Sequence, residues 1–358
     1  MPAEVITQID QITPAWLTAA LMLNGTLTRG AVASIRLDTG AGNWSKSARL
    51  SVTYTPDAQG SLPQRLFLKM VNTDLDGESF SDSEVAYYTR DYVGVENAPL
   101  LRCYAAAYSQ ELKKYHLLFD DVSETHILAA EKEPTLEYGQ ALAEGLAVLH
   151  ARWWGAAPMA EAGASIHSSA HIQRFVDIAY PGVEHILSRF ASELKPHWLA
   201  AMRALFVSHP PVLIQRAQDP NGFTLIHGDA GAYNILVPRH GDRPLYLIDR
   251  QPFDWSLTTW LGVYDLAYAL VLDWEPELRR QYEFPILQTY NEQLRSHGVT
   301  DYTWEQLVYD YRLCAAMGVY IAVEYCRGGV NERWIPIWLP MLERSLTACE
   351  DLDCYALW

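Results

Sequence analysis

A chain of 358 residues is long enough to bury a large core and to form two lobes or domains. Its 27 basic and 43 acidic side chains give a net charge of −16, which disfavours a nucleic-acid partner because the phosphate backbone is also negative. The five cysteines are scattered without CxxC spacing, which argues against a zinc site and for free thiols in the cytoplasm. The first residues lack the pattern of a signal peptide, and no apolar run approaches the roughly 18 residues of a membrane span. We therefore expect a cytoplasmic protein without a membrane partner.

The amino-terminal third has the pattern of a sheet with one inserted helix. Thr13 and Pro14 are a typical N-cap and first helical residue, and this leading helix is expected to end near Asn24. The inserted helix is predicted over residues 80–92. Strands are predicted over 31–38, 48–54, 65–71, 101–108 and 115–119.

Beyond Asp121 the pattern becomes helical, with apolar residues recurring at a period near 3.6. Helices are predicted over 136–154, over 182–207 with a break near Pro196, over 262–275 and over 302–327. We therefore predict an α+β protein. Residues 1–121 form a sheet-rich lobe and residues 122–358 a helix-rich lobe.

His227-Gly228-Asp229, followed by Asn234 and Asp249, is the most informative motif. The apolar run 245–248 after a Gly-Asp turn predicts the second arm of a hairpin, which brings Asp249 back beside Asn234. A carboxylate and an amide oxygen form a hard oxygen site suited to Mg²⁺. Asp229 is then left to accept a proton from a hydroxyl, so the motif supplies the parts of a phosphoryl-transfer site.

The tripeptide alone is weak support, because His240-Gly241-Asp242 repeats it within the same segment. Five residues after Asp242 the chain has Leu247, which cannot ligate a metal. We interpret this second copy as a hairpin turn.

A glycine-rich segment, residues 38–45, links two predicted strands. Backbone N–H groups near Gly40, Gly42, Asn43 and Ser45 could approach phosphate oxygens closely, although such a segment is more often only a turn.

Lys69 ends an apolar strand, so it must find a partner or reach solvent. Glu84, on the predicted helix 80–92, is the expected ion-pair partner, and the pair would hold the ammonium over the phosphates of a nucleotide. The alternative is a solvated lysine on an edge strand. Near the predicted junction of the lobes, the backbone of Phe119 and Asp121 is placed to hydrogen-bond an adenine edge.

Several segments together resemble the aminoglycoside phosphotransferase and choline kinase superfamily, most closely its ecdysteroid-kinase-like branch and bacterial relatives. They are GAGNWSKS, LFLK, SEVAYY, LLFDDVSETH, LHARWW, HGDAGAYN, IDRQ and YDLAY, and they cover roughly residues 30–270. The resemblance implies a protein-kinase-like two-lobe fold that uses ATP and Mg²⁺ to phosphorylate small-molecule hydroxyls. It implies Asp229 as catalytic base, Asn234 and Asp249 as metal ligands, and Lys69 with Glu84 as the phosphate-anchoring pair.

The chain also departs from the family. Arg250 follows Asp249 where an aromatic residue is usual, and both a pairing with a carboxylate and a contact with substrate remain open for it. Gln251 matches the ecdysteroid-kinase-like form. Asp265, in YDLAY, is expected to hold the loop that begins at His227-Gly228-Asp229, here called the HGD loop, by accepting hydrogen bonds from its backbone N–H groups. His227 is expected to brace the same loop. His150 is expected to be a core histidine whose ring nitrogens are hydrogen-bonded.

The substrate pocket is the least determined part. Asp254 and Trp255 are candidates for substrate contact, because carboxylates beside aromatic faces favour a cation or a sugar ring. Most of the twelve tryptophans must nevertheless pack in the core. The expected function is a small-molecule kinase. A catalytically silent nucleotide-binding regulator and a protein kinase are the alternatives, although no long segment after Asp249 resembles an activation loop. The acceptor, the choice between ATP and GTP, and the oligomeric state remain open.

Overall fold

The computed structural model describes residues 5–41, 45–75, 77–250 and 252–358. It divides into two compact units. The first comprises residues up to Glu96, Leu100–Ile127 and Pro238–Asp254, and the second comprises Asn97–Pro99, Leu128–Val237 and Trp255–Trp358. The segment 238–254 therefore clusters with the first unit, although it follows much of the second unit in sequence. The predicted functional division into a lobe of residues 1–121 and a lobe of residues 122–358 stays a prediction.

The strands in chain order are β1 (Leu27–Arg29), β2 (Val32–Ala41), β3 (Ser45–Tyr54), β4 (Gln59–Gly60), β5 (Arg65–Asn72), β6 (Asp74–Leu75), β7 (Glu78–Ser79), β8 (Cys103–Ser109), β9 (Lys114–Asp120), β10 (His126–Leu128), β11 (Phe223–Leu225), β12 (Ile235–Pro238), β13 (Tyr246–Leu247) and β14 (Thr259–Leu261). The helices are α1 (Pro14–Leu23), α2 (Ser83–Ala86), α3 (Leu136–Arg152), α4 (Ala156–Glu161), α5 (Ser169–Ala179), α6 (Pro181–Phe190), α7 (Pro196–Arg216), α8 (Val263–Asp273), α9 (Pro276–Ser296), α10 (Trp304–Glu324) and α11 (Ile335–Asp351).

The first unit is built on an antiparallel sheet with the strand order β2-β3-β5-β9-β8. These are the five strands predicted from the sequence. Alternate residues of β3 are buried, namely Ala48, Leu50 and Val52, as expected for a sheet with one covered face. Leu17 and Leu21 of α1 join the same apolar core. Helix α1 begins as predicted, because the Thr13 hydroxyl accepts a hydrogen bond from the Trp16 N–H at 3.1 Å.

The second unit is mainly helical. Its strands β11 and β14 pair antiparallel, with Thr224 opposite Trp260, and they lead directly into the HGD loop and into α8. This pairing places the loop beside α8. Helices α3 and α9 approach closely at Gly139, where an added Cβ would lie 2.2 Å from the Ile286 Cδ1.

The helix predictions were correct in part. Helix α3, the break at Pro196, α8 and α10 are confirmed within a few residues. The helix predicted over 80–92 is shorter: α2 ends at Ala86 and is followed by a π-helical turn over Tyr87–Asp91. Helix α7 continues to Arg216, beyond the predicted end at residue 207. The helices that the sequence analysis missed are α4, α5, α9 and α11. In the described ranges, no helix has the length and apolar character needed to cross a bilayer.

Candidate functional site

In the second unit, Asp265 holds the start of the HGD loop. Its carboxylate accepts hydrogen bonds from the backbone N–H of His227 at 2.7 Å and of Gly228 at 2.8 Å. Gly228 has a φ of 84°, a left-handed conformation that favours glycine. His150 Nε2 lies 3.1 Å from Asp265, and its Nδ1 lies 2.8 Å from the Tyr290 hydroxyl. The bracing role of Asp265 and the buried, satisfied state of His150 are therefore confirmed.

We expect Asp265→Asn to lower the free energy of unfolding by about 1–3 kcal/mol at neutral pH. Asparagine has one acceptor oxygen, so one of the two buried N–H groups would face an NH₂ group. Chemical denaturation of both proteins at neutral pH measures the difference. An unchanged unfolding free energy would contradict the bracing role.

The same pair of proteins should differ in pH dependence. Burial opposes charge on Asp265, but the hydrogen bond and charge of His150 outweigh it and lower the pKa below the ordinary value of 3.8. The resulting stabilisation is present above that value and is lost as the pH falls below it. The Asp265→Asn protein should lack this part of the acid sensitivity.

Asp229 is exposed, and each of its carboxylate oxygens accepts a hydrogen bond within the second unit. The Tyr268 hydroxyl donates to Oδ1 at 2.5 Å, and the Asn234 amide donates to Oδ2 at 2.8 Å. The Asn234 amide also donates to the Asp229 carbonyl oxygen at 2.9 Å. The Asp229 N–H donates to His227 Nδ1 at 3.3 Å, which confirms His227 as a brace of the loop. The structure thus brings Asp229 and Asn234 together, as predicted.

Two residues of this region were missed by the sequence analysis. Tyr268 is one, and Asp273, which accepts the backbone N–H of Ala232 at 2.7 Å, is the other. Burial raises the pKa of Asp273 to about 6. Burial, with the nearby charge of Asp229, raises the pKa of Tyr268 well above its ordinary value, so its hydroxyl stays a donor. Both residues lie on α8, three and eight positions after Asp265, and this spacing could have indicated that they face the same loop as Asp265.

In the first unit, Lys69 and Glu84 form the predicted ion pair. Lys69 Nζ lies 2.8 and 2.9 Å from the two carboxylate oxygens of Glu84, and both residues are buried. Lys69 also donates to Asp249 Oδ1, and the Tyr115 hydroxyl donates to Glu84. Burial lowers the pKa of Lys69, but the charges of Glu84 and Asp249 outweigh it and raise the pKa, so the ammonium stays charged.

Asp249 has a φ of 63°, an uncommon conformation for a residue with a side chain. Its side chain is 45% exposed, whereas that of Glu84 is 1% exposed. Arg250, the next residue, is buried, and its guanidinium lies 5.1 Å from the ring centre of Tyr87. A substrate contact of Arg250 stays a prediction.

The structure describes two of the four residues of the glycine-rich segment that are predicted to contact the nucleotide, Gly40 and Ser45. Gly40 lies in β2 opposite Ser47, and Ser45 begins β3 opposite Val71. Gly42 and Asn43 lie outside the described residues, as does Gln251. The phosphate contacts of this segment stay predictions.

At the end of β9, Phe119 and Asp121 have well-defined surroundings in the first unit. Phe119 is buried and pairs with Phe67 on one side and with Cys103 on the other. The Asp121 carboxylate pairs with Arg65 at 2.9 Å. Hydrogen bonding of this segment to an adenine edge stays a prediction.

The two candidate substrate residues differ in exposure. Asp254 is exposed, and its N–H donates to the Ser79 carbonyl oxygen at 3.0 Å. Trp255 is only 9% exposed, packs against Phe175 and lies under the Arg327 guanidinium. Trp255 therefore contributes to packing in the second unit, and its contact with substrate stays a prediction.

The second HGD copy has the predicted character. His240, Gly241 and Asp242 are exposed between β12 and β13, and Gly241 has a φ of 75°. The segment is a turn, as the sequence indicated.

The donor chemistry fits a magnesium ion bound with a nucleotide. Across the parts of the chain that are described, no group of three or more His, Cys, Asp or Glu is arranged to hold a metal. Mg²⁺ bound with nucleotide phosphates needs only one or two protein oxygens. Because the Asn234 NH₂ group faces Asp229, its amide oxygen is oriented elsewhere. The convergence of Asn234 and Asp249 on one ion stays a prediction.

Solved structures of small-molecule kinases resemble the chain over most of its length. A choline kinase from Cryptosporidium parvum Iowa II has a TM-score of 0.57 at 10% identity, covering 90% of this chain and 91% of that chain. An ethanolamine kinase from Plasmodium vivax has a TM-score of 0.55 at 12% identity, with 87% and 82% covered. A spectinomycin phosphotransferase in complex with ADP and spectinomycin has a TM-score of 0.53 at 12% identity, with 94% and 98% covered.

No family model and no curated protein sequence matches the chain. At such low identities the likeness to solved structures establishes the fold. The chain has the protein-kinase-like α+β fold of these small-molecule kinases, and the resemblance carried by the sequence motifs is confirmed at the level of the fold. Its placement near the ecdysteroid-kinase-like branch stays a prediction.

Proposed function

We propose that this chain is a kinase that uses ATP and Mg²⁺ to phosphorylate a hydroxyl group of a small molecule. The observation that carries the proposal is the arrangement around Asp229. Its carboxylate is exposed and is oriented by Tyr268 and Asn234, on a loop whose backbone is held by Asp265. The fold, shared with choline kinase and spectinomycin phosphotransferase, supports the same reaction class.

Each residue has a defined role in this proposal. Asp229 orients the acceptor hydroxyl and accepts its proton during transfer. Lys69, held by Glu84, positions the phosphates of the nucleotide. Asn234 and Asp249 hold the magnesium ion, which when bound neutralises charge on the phosphates. The proposed contacts to the rest of the nucleotide come from Gly40, Gly42, Asn43, Ser45, Phe119 and Asp121.

We propose a cationic acceptor in preference to a neutral sugar. Burial raises the pKa of Tyr325 to about 12, and the charges of Asp229, Glu324 and Asp273 add to this effect. These three acidic side chains of the second unit are therefore near enough to Tyr325 to act on its hydroxyl electrostatically, and burial raises the pKa of Glu324 itself to about 7. Negative charge beside an aromatic ring favours a positively charged ligand. Choline and ethanolamine, the compounds named for two of the similar kinases, both carry a positive charge.

Two other functions are compatible with this fold and differ from a small-molecule kinase in what they would do with the nucleotide. A catalytically silent regulator of the same fold would bind the nucleotide without transfer. The presence of Lys69, Glu84, Asp229, Asn234 and Asp249 argues against it, because a silent protein has no need of the base. A protein kinase would phosphorylate peptides in preference to small molecules.

The proposal is tested by ADP release from Mg²⁺-ATP with choline, ethanolamine, spectinomycin and a mixed serine–threonine peptide as acceptors. Wild type should release ADP with a small molecule, and Asp229→Asn should not. Asp242→Asn, in the second copy of the tripeptide, is the matched control and should behave as wild type. Release with the peptide alone would favour a protein kinase. Nucleotide binding without release in any arm of a broad hydroxyl panel would favour the regulator.

A further inference from the structure

Helix α8 presents three polar side chains to the HGD loop. Asp265 accepts the N–H groups of His227 and Gly228, and Asp273 accepts that of Ala232. Tyr268 lies between them in sequence. At about 100° per residue, positions three and eight residues after Asp265 fall within one broad face of the helix. Asp265 and Asp273 thus hold the backbone of the loop, whereas Tyr268 reaches the carboxylate of Asp229 itself.

The contact between Tyr268 and Asp229 is a short hydrogen bond to a charged acceptor. The distance from the Tyr268 hydroxyl to Oδ1 is 2.5 Å, and the Asn234 amide donates to the other oxygen at 2.8 Å. Donors on both oxygens define the rotation of the carboxylate plane. A carboxylate offers about four acceptor positions, so it can accept hydrogen bonds from several directions at once.

The ring of Tyr268 is itself held in place by the loop. A Cβ added to Gly231 would lie 3.2 Å from Cε1 of Tyr268 and 3.5 Å from Oδ2 of Asp273. Only a glycine lets the backbone approach the ring this closely without a shift. The HGD loop and α8 therefore pack closely beside the hydrogen bond between the Tyr268 hydroxyl and the Asp229 carboxylate.

We propose that Tyr268 is a positioning residue for Asp229, whose hydroxyl sets the direction of the carboxylate. The inference rests on the proposed function, because it takes Asp229 as the group that receives the acceptor proton. Tyr268 acts through Asp229 and does not itself receive that proton.

Tyr268→Phe removes the hydroxyl and keeps the ring. We expect kcat to fall about 10- to 100-fold, the size expected for a hydrogen bond to a charged group, with the KM for ATP unchanged. Tyr302→Phe is the matched control, because the Tyr302 hydroxyl also donates to a carboxylate of the same unit, Asp310, at 2.7 Å. The control should keep the wild-type kcat.

A double-variant cycle separates positioning from general stability. If Tyr268 acts through Asp229, then Tyr268→Phe should not slow Asp229→Ala any further. A wild-type kcat for Tyr268→Phe would overturn the proposal. An equal slowing in both backgrounds would overturn it as well.

The same cycle in thermal unfolding does not depend on activity. The loss of Tm from Tyr268→Phe should be smaller in the Asp229→Ala background, because the hydrogen bond is already absent there. If wild type releases no ADP with any acceptor, the proposed function fails, and the unfolding cycle still tests the contact. Additive losses of Tm would then overturn the positioning role.

Discussion

Asp229→Asn is expected to lower kcat about 10²- to 10⁴-fold, the contribution typical of a general base, while ATP affinity stays close to that of wild type. An asparagine keeps the size of the side chain but cannot accept the acceptor proton. It also places an NH₂ group opposite one of the two donors, Tyr268 or Asn234, and so disturbs the orientation of the side chain.

Steady-state kinetics together with calorimetric titration of ATP measure the two quantities separately. Asp242→Asn controls for the loss of one negative charge at an exposed HGD tripeptide. If ATP affinity falls as far as kcat does, Asp229 is a structural residue and its assignment as the base is wrong.

Asp249→Ala is expected to abolish the dependence of ATP binding on Mg²⁺. In this proposal the carboxylate is a magnesium ligand, and alanine offers no oxygen in its place. The titration compares ATP binding with magnesium and with EDTA. Wild type should bind much more tightly with magnesium, whereas the variant should bind weakly and equally in both.

Asp242→Ala, a charge loss in the same compact unit, is the control for this second experiment. It should keep the wild-type response to magnesium. Unchanged Mg²⁺-ATP affinity in Asp249→Ala would count decisively against Asp249 as a ligand. If Asp249→Ala lowers ATP affinity by the same factor relative to wild type in magnesium and in EDTA, Asp249 contacts the nucleotide without a metal.

The sheet of the first unit was predictable because its strands are short runs rich in apolar and β-branched residues, one of which alternates buried and exposed positions. β3 shows this clearly, with buried Ala48, Leu50 and Val52 between exposed residues. The ion pair of Lys69 was predictable because this residue does not follow the apolar pattern. It breaks an apolar strand, and a buried ammonium requires a charged partner, which Glu84 provides.

Helices α9 and α11 were harder to predict, because proline lies inside each of them, at Pro285 and at Pro340. A proline inside a helix normally indicates an interruption. Tertiary packing overrides that preference here, as it does at Pro210 and Pro211 in α7. The helix propensity of a short sequence segment does not include these tertiary contacts, so it cannot predict that the helix continues through the proline.

The candidate site was predictable where the motif itself specifies the partner. Asn234 follows Asp229 by five residues, so their proximity is local. Tyr268 and Asp273 were missed because their partners lie about 40 residues earlier in the chain, and because they sit in the apolar run of α8, where the tyrosine resembles a core residue. The pairing of β11 with β14, which are far apart in sequence, brings loop and helix together.

The hydrogen bonds of Lys69 have a consequence for how a nucleotide binds. An ammonium has three protons, and Lys69 already donates to three carboxylate oxygens, two of Glu84 and one of Asp249. Under the proposed function, nucleotide binding would be an exchange reaction, in which a phosphate oxygen displaces one of these acceptors. Asp249 is the more exposed of the two and would be the one to leave. If Asp249 held a magnesium ion, as proposed, its carboxylate would be drawn away from Lys69, and the ion would lower the cost of this exchange.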